Sequence, residues 1–349
     1  MPAPKPACAV IAFFMRVLLK ARFGALGEKN GFLQVPCNRI CRHLKRFGYL
    51  RNLEKVGIIM EEILSTLING LSLGGIYAMI ALGYTMVYGI AKMLNFAHGD
   101  IIMVGGYMIY VFMATGNPLL AILLACVGCV ILGVCIEKVA YKPLRGASPL
   151  AVLITAIGVS YLLQSLAQII FGSAPKMVMV YDFGSVKFLG TTVQISALVT
   201  LAVATVVMTV LTLFVKYTRV GRAMIAVSED KHAAQLMGIN VNGIITITFA
   251  IGSALAALAG LFYLLKSPSI SSTLGAMPGI KAFTAAVIGG IGSIPGAMLG
   301  GILLGVVECI SYKITAIAPY TDAIEFSVLI IILLVRPTGF LGKKRREKV

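Results

Sequence analysis

AFTAAVIGGIGSIPGAMLGGILLGVVECI, residues 282–310, is an apolar run of 29 residues whose only charge, Glu308, lies near its far end. A helix crossing a bilayer needs about 20 residues, so the run is too long for one ordinary span. Near its middle stand Gly289, Gly290, Gly292, Ser293, Pro295 and Gly296. Glycine and proline in that density break a helix. The run therefore reads as two half-helices joined across residues 289–296. Irregular backbone at membrane depth is tolerated only where it is buried in protein or lines a watery cavity. These six residues are candidates for a translocation path; close packing through small residues is the alternative.

Working outward, further apolar segments cover about 63–90, 94–115, 118–140, 149–171, 193–216, 243–266 and 321–336, making about eight with the run at 281–311. The chain has 349 residues, 59% of them hydrophobic and 12% charged, with a mean hydropathy of +0.95. A water-soluble domain cannot hide that much apolar surface. No barrel-like alternation is visible, so the fold class is all-α, a polytopic helical membrane protein with broken or re-entrant helices.

Positive residues orient the spans. Lys138, Lys142 and Arg145 flank one loop, Lys216, Arg219, Arg222 and Lys231 another, and Lys343, Lys344, Arg345, Arg346 and Lys348 the tail. By the positive-inside rule all three are cytoplasmic. An even number of crossings must then separate loop 217–242 from the tail, yet three apolar segments lie between. The parity closes if the run at 281–311 enters and leaves by one face, which puts Ser293 out of reach from the cytoplasm.

The formal charge is +17. Residues 1–59 carry 11 of the 30 Lys and Arg against two acids, and the rest of the excess flanks apolar segments. That placement fits contact with anionic lipid headgroups and not nucleic acid. Three regions follow: a basic extension over 1–59, disordered or preceding the true start at Met60; a membrane domain over 60–342; and a basic tail over 343–349. Cys126, Cys129, Cys135 and Cys309 sit in apolar segments, where cysteine acts as a small hydrophobe. Cys37, Cys41 and His43 lie close together without a second ligand pair, so no metal site is expected.

The segment at 94–115 has a clean apolar part, Ile101 to Ala114, too short to span. Leu94 to Asp100, LNFAHGD, must lie near or within the membrane, where polar groups are costly and by default functional. Asn95, His98 and Asp100 could face a pore, a partner helix or the cytoplasmic interface. A second polar stretch, Lys216 to Gly243, contains a short helix drawn from local signals. Ser228 caps it, Glu229 and Asp230 bring negative charge to its first turn, and Gly238 stops it. With Ala233, Ala234 and Met237 on one side, so short a helix looks like a plug for a groove on another protein. A solvated loop with some helical content is the alternative. No phosphate-binding G-x-x-x-x-G-K-[ST], HExxH or nucleophile elbow occurs, so neither enzyme activity nor a cofactor is expected.

Five runs combine into something more specific: NGLSLGGIYAMIALGYTMVYGI (69–90), MLNFAHGDIIMVGGY (93–107), IEKVAYKPLRG (136–146), GRAMIAVSEDKHAAQLMGIN (221–240) and KAFTAAVIGGIGSIPGAMLGG (281–301). Together they resemble the LivH-type permease subunit of branched-chain amino-acid ABC importers, over about residues 60–342. The resemblance implies a type II importer permease in a bacterial inner membrane, with a cytoplasmic C-terminus. Its partners would be a second homologous permease of the LivM type, two ABC ATPase subunits, and a periplasmic or lipid-anchored solute-binding protein. The substrate would be leucine, isoleucine or valine; another amino acid, urea or a short amide is the nearest alternative, and an ion-coupled carrier a more distant one. EDKHAAQLMG matches the coupling-loop pattern of such permeases at Glu229, Ala233, Ala234 and Gly238. That match implies that Ser228, Glu229, Asp230, Ala233, Ala234, Met237 and Gly238 transmit ATPase movement.

Overall fold

The computed structural model describes residues 49–342 apart from 179, 182, 189 and 190. The Cys37, Cys41 and His43 group, most of the basic extension and the tail 343–349 lie outside the described residues. The chain divides into two compact units, Met1–Ile63 and Leu64–Val349. In the first, the described residues are helical from Tyr49, so helix begins before Met60; the rest of the architecture belongs to the second.

Eleven α-helices are described: α1 (Tyr49–Ala91), α2 (His98–Phe112), α3 (Pro118–Ile136), α4 (Pro149–Phe171), α5 (Ile195–Tyr217), α6 (Arg219–Glu229), α7 (Lys231–Leu236), α8 (Val241–Lys266), α9 (Ala276–Gly289), α10 (Ile294–Lys313) and α11 (Thr321–Val335). Seven are long and apolar enough to cross a membrane. Local sequence explains where they start. Asn117 before Pro118, Ser148 before Pro149 and Asn240 before Val241 each accept hydrogen bonds from the first free backbone N–H groups. Among the described residues, four short strands form two antiparallel pairs. The hairpin β2 (Ser185–Phe188) with β3 (Thr191–Gln194) joins α4 to α5, while β1 (Lys176–Met177) pairs with β4 (Ser269–Ile270).

Burial separates central from peripheral helices. Within their most apolar windows α8 is 67% buried and α1 56%, against 22% for α4 and 11% for α11. The core gathers around α8, which packs on α2 and α3. Gly260 of α8 meets the backbone of Ile102 on α2, and Ser253 meets Gly133 on α3. Small residues at such crossings let helices approach closely where hydrophobic driving force is weak, as in lipid. The outer faces of α4, α5 and α11 expose Ile154, Ile169, Val206, Val210, Ile331 and Leu334. Such continuous apolar surface is stable against lipid or another apolar protein, not water.

The bundle has two ends. At one, the tail end, Phe340 N and Leu341 N donate to the Ile288 and Gly289 carbonyls, and Lys231 Nζ donates to the Ala91 carbonyl at 2.8 Å. At the other, the hairpin end, Tyr107 stacks on Phe171 at 4.3 Å between ring centres and β1 pairs with β4.

The run at 281–311 is broken where its sequence says. Helix α9 stops at Gly289, Gly290 and Gly292 take φ of 102° and 95°, and α10 starts at Ile294 under a Ser293 cap. Its depth differs from expectation. The break packs against Gly342 and Thr338, beyond the end of α11, so α9 and α10 form a hairpin turning at the tail end and not midway along the bundle. The two alternatives for its glycines were not exclusive. A Cβ on Gly289 would fall 2.0 Å from the Gly296 carbonyl oxygen, so the small residues both break the helix and hold its halves together. The crossings between loop 217–242 and the tail still number an even count, because α8, the stretch from β4 through the short α9, α10 and α11 each link the two ends.

Candidate functional site

Helix α7 is framed by signals only partly legible beforehand. Asp230, not Ser228, is its cap: its carboxylate accepts from His232 N at 2.8 Å and Ala233 N at 3.0 Å. Ser228 lies in the last turn of α6, where its hydroxyl donates to the Ile225 carbonyl at 2.7 Å, and Glu229 ends that helix. Both serine and aspartate cap well; α6 occupies the serine and leaves the aspartate. The stop at Gly238 stands. Gly238 N donates to the Gln235 carbonyl and Ile239 N to the Ala234 carbonyl, with Gly238 at φ 80°. This is the paired closure that favours glycine at that place.

The two faces of α7 differ from the expected plug. Ala234 is buried against the bundle, whereas Ala233 is exposed and Leu236 and Met237 are 89% and 81% exposed. The outward surface is therefore His232, Ala233, Gln235, Leu236 and Met237; Leu236 had no distinguishing signal in the sequence. Amphipathic α6 leads in, burying Gly221, Met224 and Val227 with Arg219 and Arg222 outside. Two ties fix this region to the spans. Lys231 holds the C-terminal carbonyl of α1, where a cation also meets the negative end of the helix dipole. Burial and nearby Arg145 lower the Lys231 pKa below its ordinary 10.5. Arg145 bridges Glu137, after α3, and Asn242, at the start of α8; Thr246 Oγ1 donates to Glu137 at 2.9 Å.

Directly after the Lys231 tie, residues 92–97 leave helix and climb into the bundle. Helix α2 begins at His98, packed against Gly83 of α1 and Gly252 of α8. Those glycines lie about 12 Å and about 16 Å along their helices from the tail end. Here α2 meets the start of α9: a Cβ on Gly275 would fall 1.9 Å from the Gly99 carbonyl oxygen. Two helix N-termini thus face each other deep in the bundle, as in transporters built on discontinuous helices. Asp100 lies in the first turn of α2 and accepts from Gln164 Nε2 of α4 at 2.9 Å. Of its three possible surroundings it has a partner helix, and its charge meets the dipole of its own helix.

Asn95 Oδ1 accepts from the Tyr141 hydroxyl at 2.7 Å, and Asn95 also borders a small cavity with Tyr84, Phe283 and Ile291. That cavity joins the polar stretch at 94–100 to the α9–α10 turn. Thr85 Oγ1, Asn95 Nδ2 and His98 Nε2 are buried there or nearby without a protein partner. Buried polar atoms are rarely left so. Of the glycine-rich group, Gly289, Gly290 and Gly296 are sealed in backbone contacts, while Gly292 and Pro295 are exposed.

A buried charge cluster has no counterpart in the sequence reading. Lys281 of α9 lies 3.1 Å from Glu308 of α10 and 2.8 Å and 3.3 Å from Asp322 and Glu325 of α11. Lys281, Glu308 and Glu325 are 5%, 6% and 0% exposed. Glu308 was expected merely near a span end. The available signal was a lysine bordering one apolar run and acids at i and i+3 entering another, which in a membrane must find one another.

The family described as "Branched-chain amino acid transport system / permease component" matches residues 66–333. The chain is 44% identical over 308 residues to the high-affinity branched-chain amino acid transport system permease protein BraD of Pseudomonas aeruginosa, covering 83% of this chain and 100% of that one. It is 42% identical over 304 residues to the LivH permease protein of the corresponding Escherichia coli system, covering 82% and 97%. A solved chain of PsaBC from Streptococcus pneumoniae aligns with a TM-score of 0.42 at 14% identity, over 79% of this chain and 92% of that one.

Proposed function

Because the chain belongs to the family of branched-chain amino acid transport permease components, we propose that it is the membrane-spanning permease subunit of an ATP-binding cassette importer. It carries leucine, isoleucine and valine across a bacterial inner membrane. Two ATPase subunits drive it, a second permease of the LivM type completes the path, and a solute-binding protein delivers the cargo. The tail end, with loop 217–242 and the C-terminus, faces the cytoplasm; the hairpin end faces outward.

The observation that carries this reading is the build of α7. It offers two long apolar side chains and a slim alanine outward while its root is tied through Lys231 to the end of α1. A short helix is unstable alone, so a capped one anchored to a span and exposing Leu236 and Met237 suits a cleft in another protein. Seated in an ATPase, α7 passes a rigid displacement to Ala91. Residues 92–97 then carry it to the buried start of α2, where α2 and α9 meet. Closely packed helices resist continuous deformation, so the displacement switches the bundle between two arrangements.

The test is ATP-driven leucine uptake by the reconstituted complex, comparing wild type with Ala233→Trp. The exposed alanine leaves the fold unaffected, and the indole blocks the seat, so uptake should fall to background while the permease still inserts. Full uptake by the variant removes the coupling role. Uptake that needs an ion gradient and not ATP would favour an ion-coupled carrier using the Lys281 cluster.

A further inference from the structure

Asn95 stands in the irregular stretch between α1 and α2 and is 3% exposed. The Tyr141 hydroxyl donates to its Oδ1 at 2.7 Å, and that bond assigns the amide: the oxygen is turned to Tyr141 and the nitrogen away from it. The nitrogen carries two N–H donors. It is buried with no acceptor among the described residues. A buried donor left unmet is costly, so this one points to an acceptor that the chain itself does not supply.

Asn95 borders a cavity towards the tail end, whose further walls include Tyr84, Met93, Leu94, Phe283 and Ile291. No charged side chain is among the described residues of these walls. One placed donor among aliphatic and aromatic surfaces is the pattern of a site for a small, mostly apolar molecule. The space is nearly shut: about 10 Å³, room for one water, against about 300–1,000 Å³ for a site that encloses a small molecule. Its walls belong to two separate pieces of the fold. Met93, Leu94 and Asn95 ride on the stretch that the coupling route displaces through Ala91, while Phe283 and Ile291 belong to the α9–α10 hairpin. Phe96 and Phe283 meet across that seam at 5.6 Å between ring centres. Moving the stretch away from the hairpin parts the seam and widens the cavity.

We propose that this cavity is the closed form of an inner waypoint on the transport path, where the Asn95 amide donates to the α-carboxylate of the passing amino acid. A carboxylate is the strongest acceptor such a molecule offers, and its charge strengthens the bond. The side chain of the amino acid lies against Met93, Leu94 and Ile291. Its ammonium meets the ring faces of Tyr88 and Phe283, both half-buried at the cavity. A neutral amide holds a carboxylate less tightly than a lysine does, which suits the last contact before release. This assignment rests on the importer reading above and adds a residue and a chemistry at the inner end of the path.

The experiment uses the complete reconstituted complex and compares wild type with Asn95→Leu, which keeps the shape of the side chain and removes the donor. The variant should lower the maximal rate of ATP-driven leucine uptake at least tenfold and leave the KM for leucine-loaded binding protein within twofold. A maximal rate within twofold of wild type overturns the assignment while leaving the importer reading intact; a wild-type complex that takes up no leucine with ATP removes both. A second measurement does not depend on that variant assembling. Ala286 is a buried wall of the cavity, 1% exposed, and Ala286→Cys in an otherwise wild-type complex reports whether the cavity opens. N-ethylmaleimide, read at residue 286 by mass spectrometry, should label it at least fivefold faster during turnover with ATP and loaded binding protein than at rest. Free leucine added on the tail side should slow that labelling, and leucinol, which lacks the carboxylate, should not. Equal labelling at rest and in turnover shows a cavity that stays shut around at most a water, and equal protection by leucine and leucinol shows that no carboxylate is read; either result overturns the assignment.

Discussion

Replacing Lys231 by methionine keeps the apolar stem and removes the ammonium that holds the Ala91 carbonyl at 2.8 Å. A hydrogen bond from a charged donor contributes about 1.5–3 kcal/mol, and a cation at a helix C-terminus about 0.3–1 kcal/mol. The site is half-buried, so the loss should be about 2 kcal/mol, taken from the lower part of those ranges. At 1.4 kcal/mol per factor of ten, α7 would be detached from α1 about 30-fold more often. The assay is leucine delivered per ATP hydrolysed in the reconstituted complex, with ATPase activity measured separately. The expected result is a drop of about tenfold or more in that ratio, with hydrolysis intact and Lys231→Arg largely preserving it. A ratio within twofold of wild type refutes the route from α7 through Ala91 to α2. Alkaline pH gives a second arm. Burial and Arg145 lower the Lys231 pKa below 10.5. Between that lowered value and 10.5 the folded chain binds fewer protons than the unfolded one, so the folding contribution of Lys231 rises with pH. The same deprotonation favours the docked form of α7 over the detached one, so wild-type coupling should hold or rise in this window and Lys231→Met should be flat.

Gly296→Ala would set a methyl group 2.2 Å from the Gly289 carbonyl oxygen; it should destabilise the α9–α10 hairpin by about 1–3 kcal/mol, read as a lower melting temperature in detergent. Lys281→Met leaves Glu308 and Glu325 buried without their cation and should cost about 3–5 kcal/mol or prevent assembly, while Glu325→Gln is milder; equal melting temperatures for wild type and Lys281→Met would show that the cluster does not hold these helices. Ser293→Cys should be labelled by an impermeant maleimide from the compartment that holds the C-terminal tail, because its turn packs beside residues 338–342; labelling only from the other side would reverse the hairpin.

Much of the site was legible residue by residue. Gly238 was readable as a stop because a left-handed residue after a short helix favours glycine whatever surrounds it. Ser228 was misread because two good caps stood two positions apart, and only the preceding α6 decided between them. The inward turn of Ala234 and outward turn of Leu236 depend on how α7 sits on the bundle, which six residues of local sequence do not specify.

The sequence by itself determined the number and order of apolar helices, the break after Gly289 and the irregular approach to α2. Hydropathy, glycine, proline and capping residues act within a few positions of themselves, so their effects survive in any tertiary setting. Only the tertiary structure decided that the break turns at the tail end, that Gly99 and Gly275 bring two helix starts together, and that Lys281 gathers acids from two other helices. Those arrangements join residues tens to hundreds of positions apart. Their energies come from close backbone contact and shared burial of charge, and neither exists until the helices have packed.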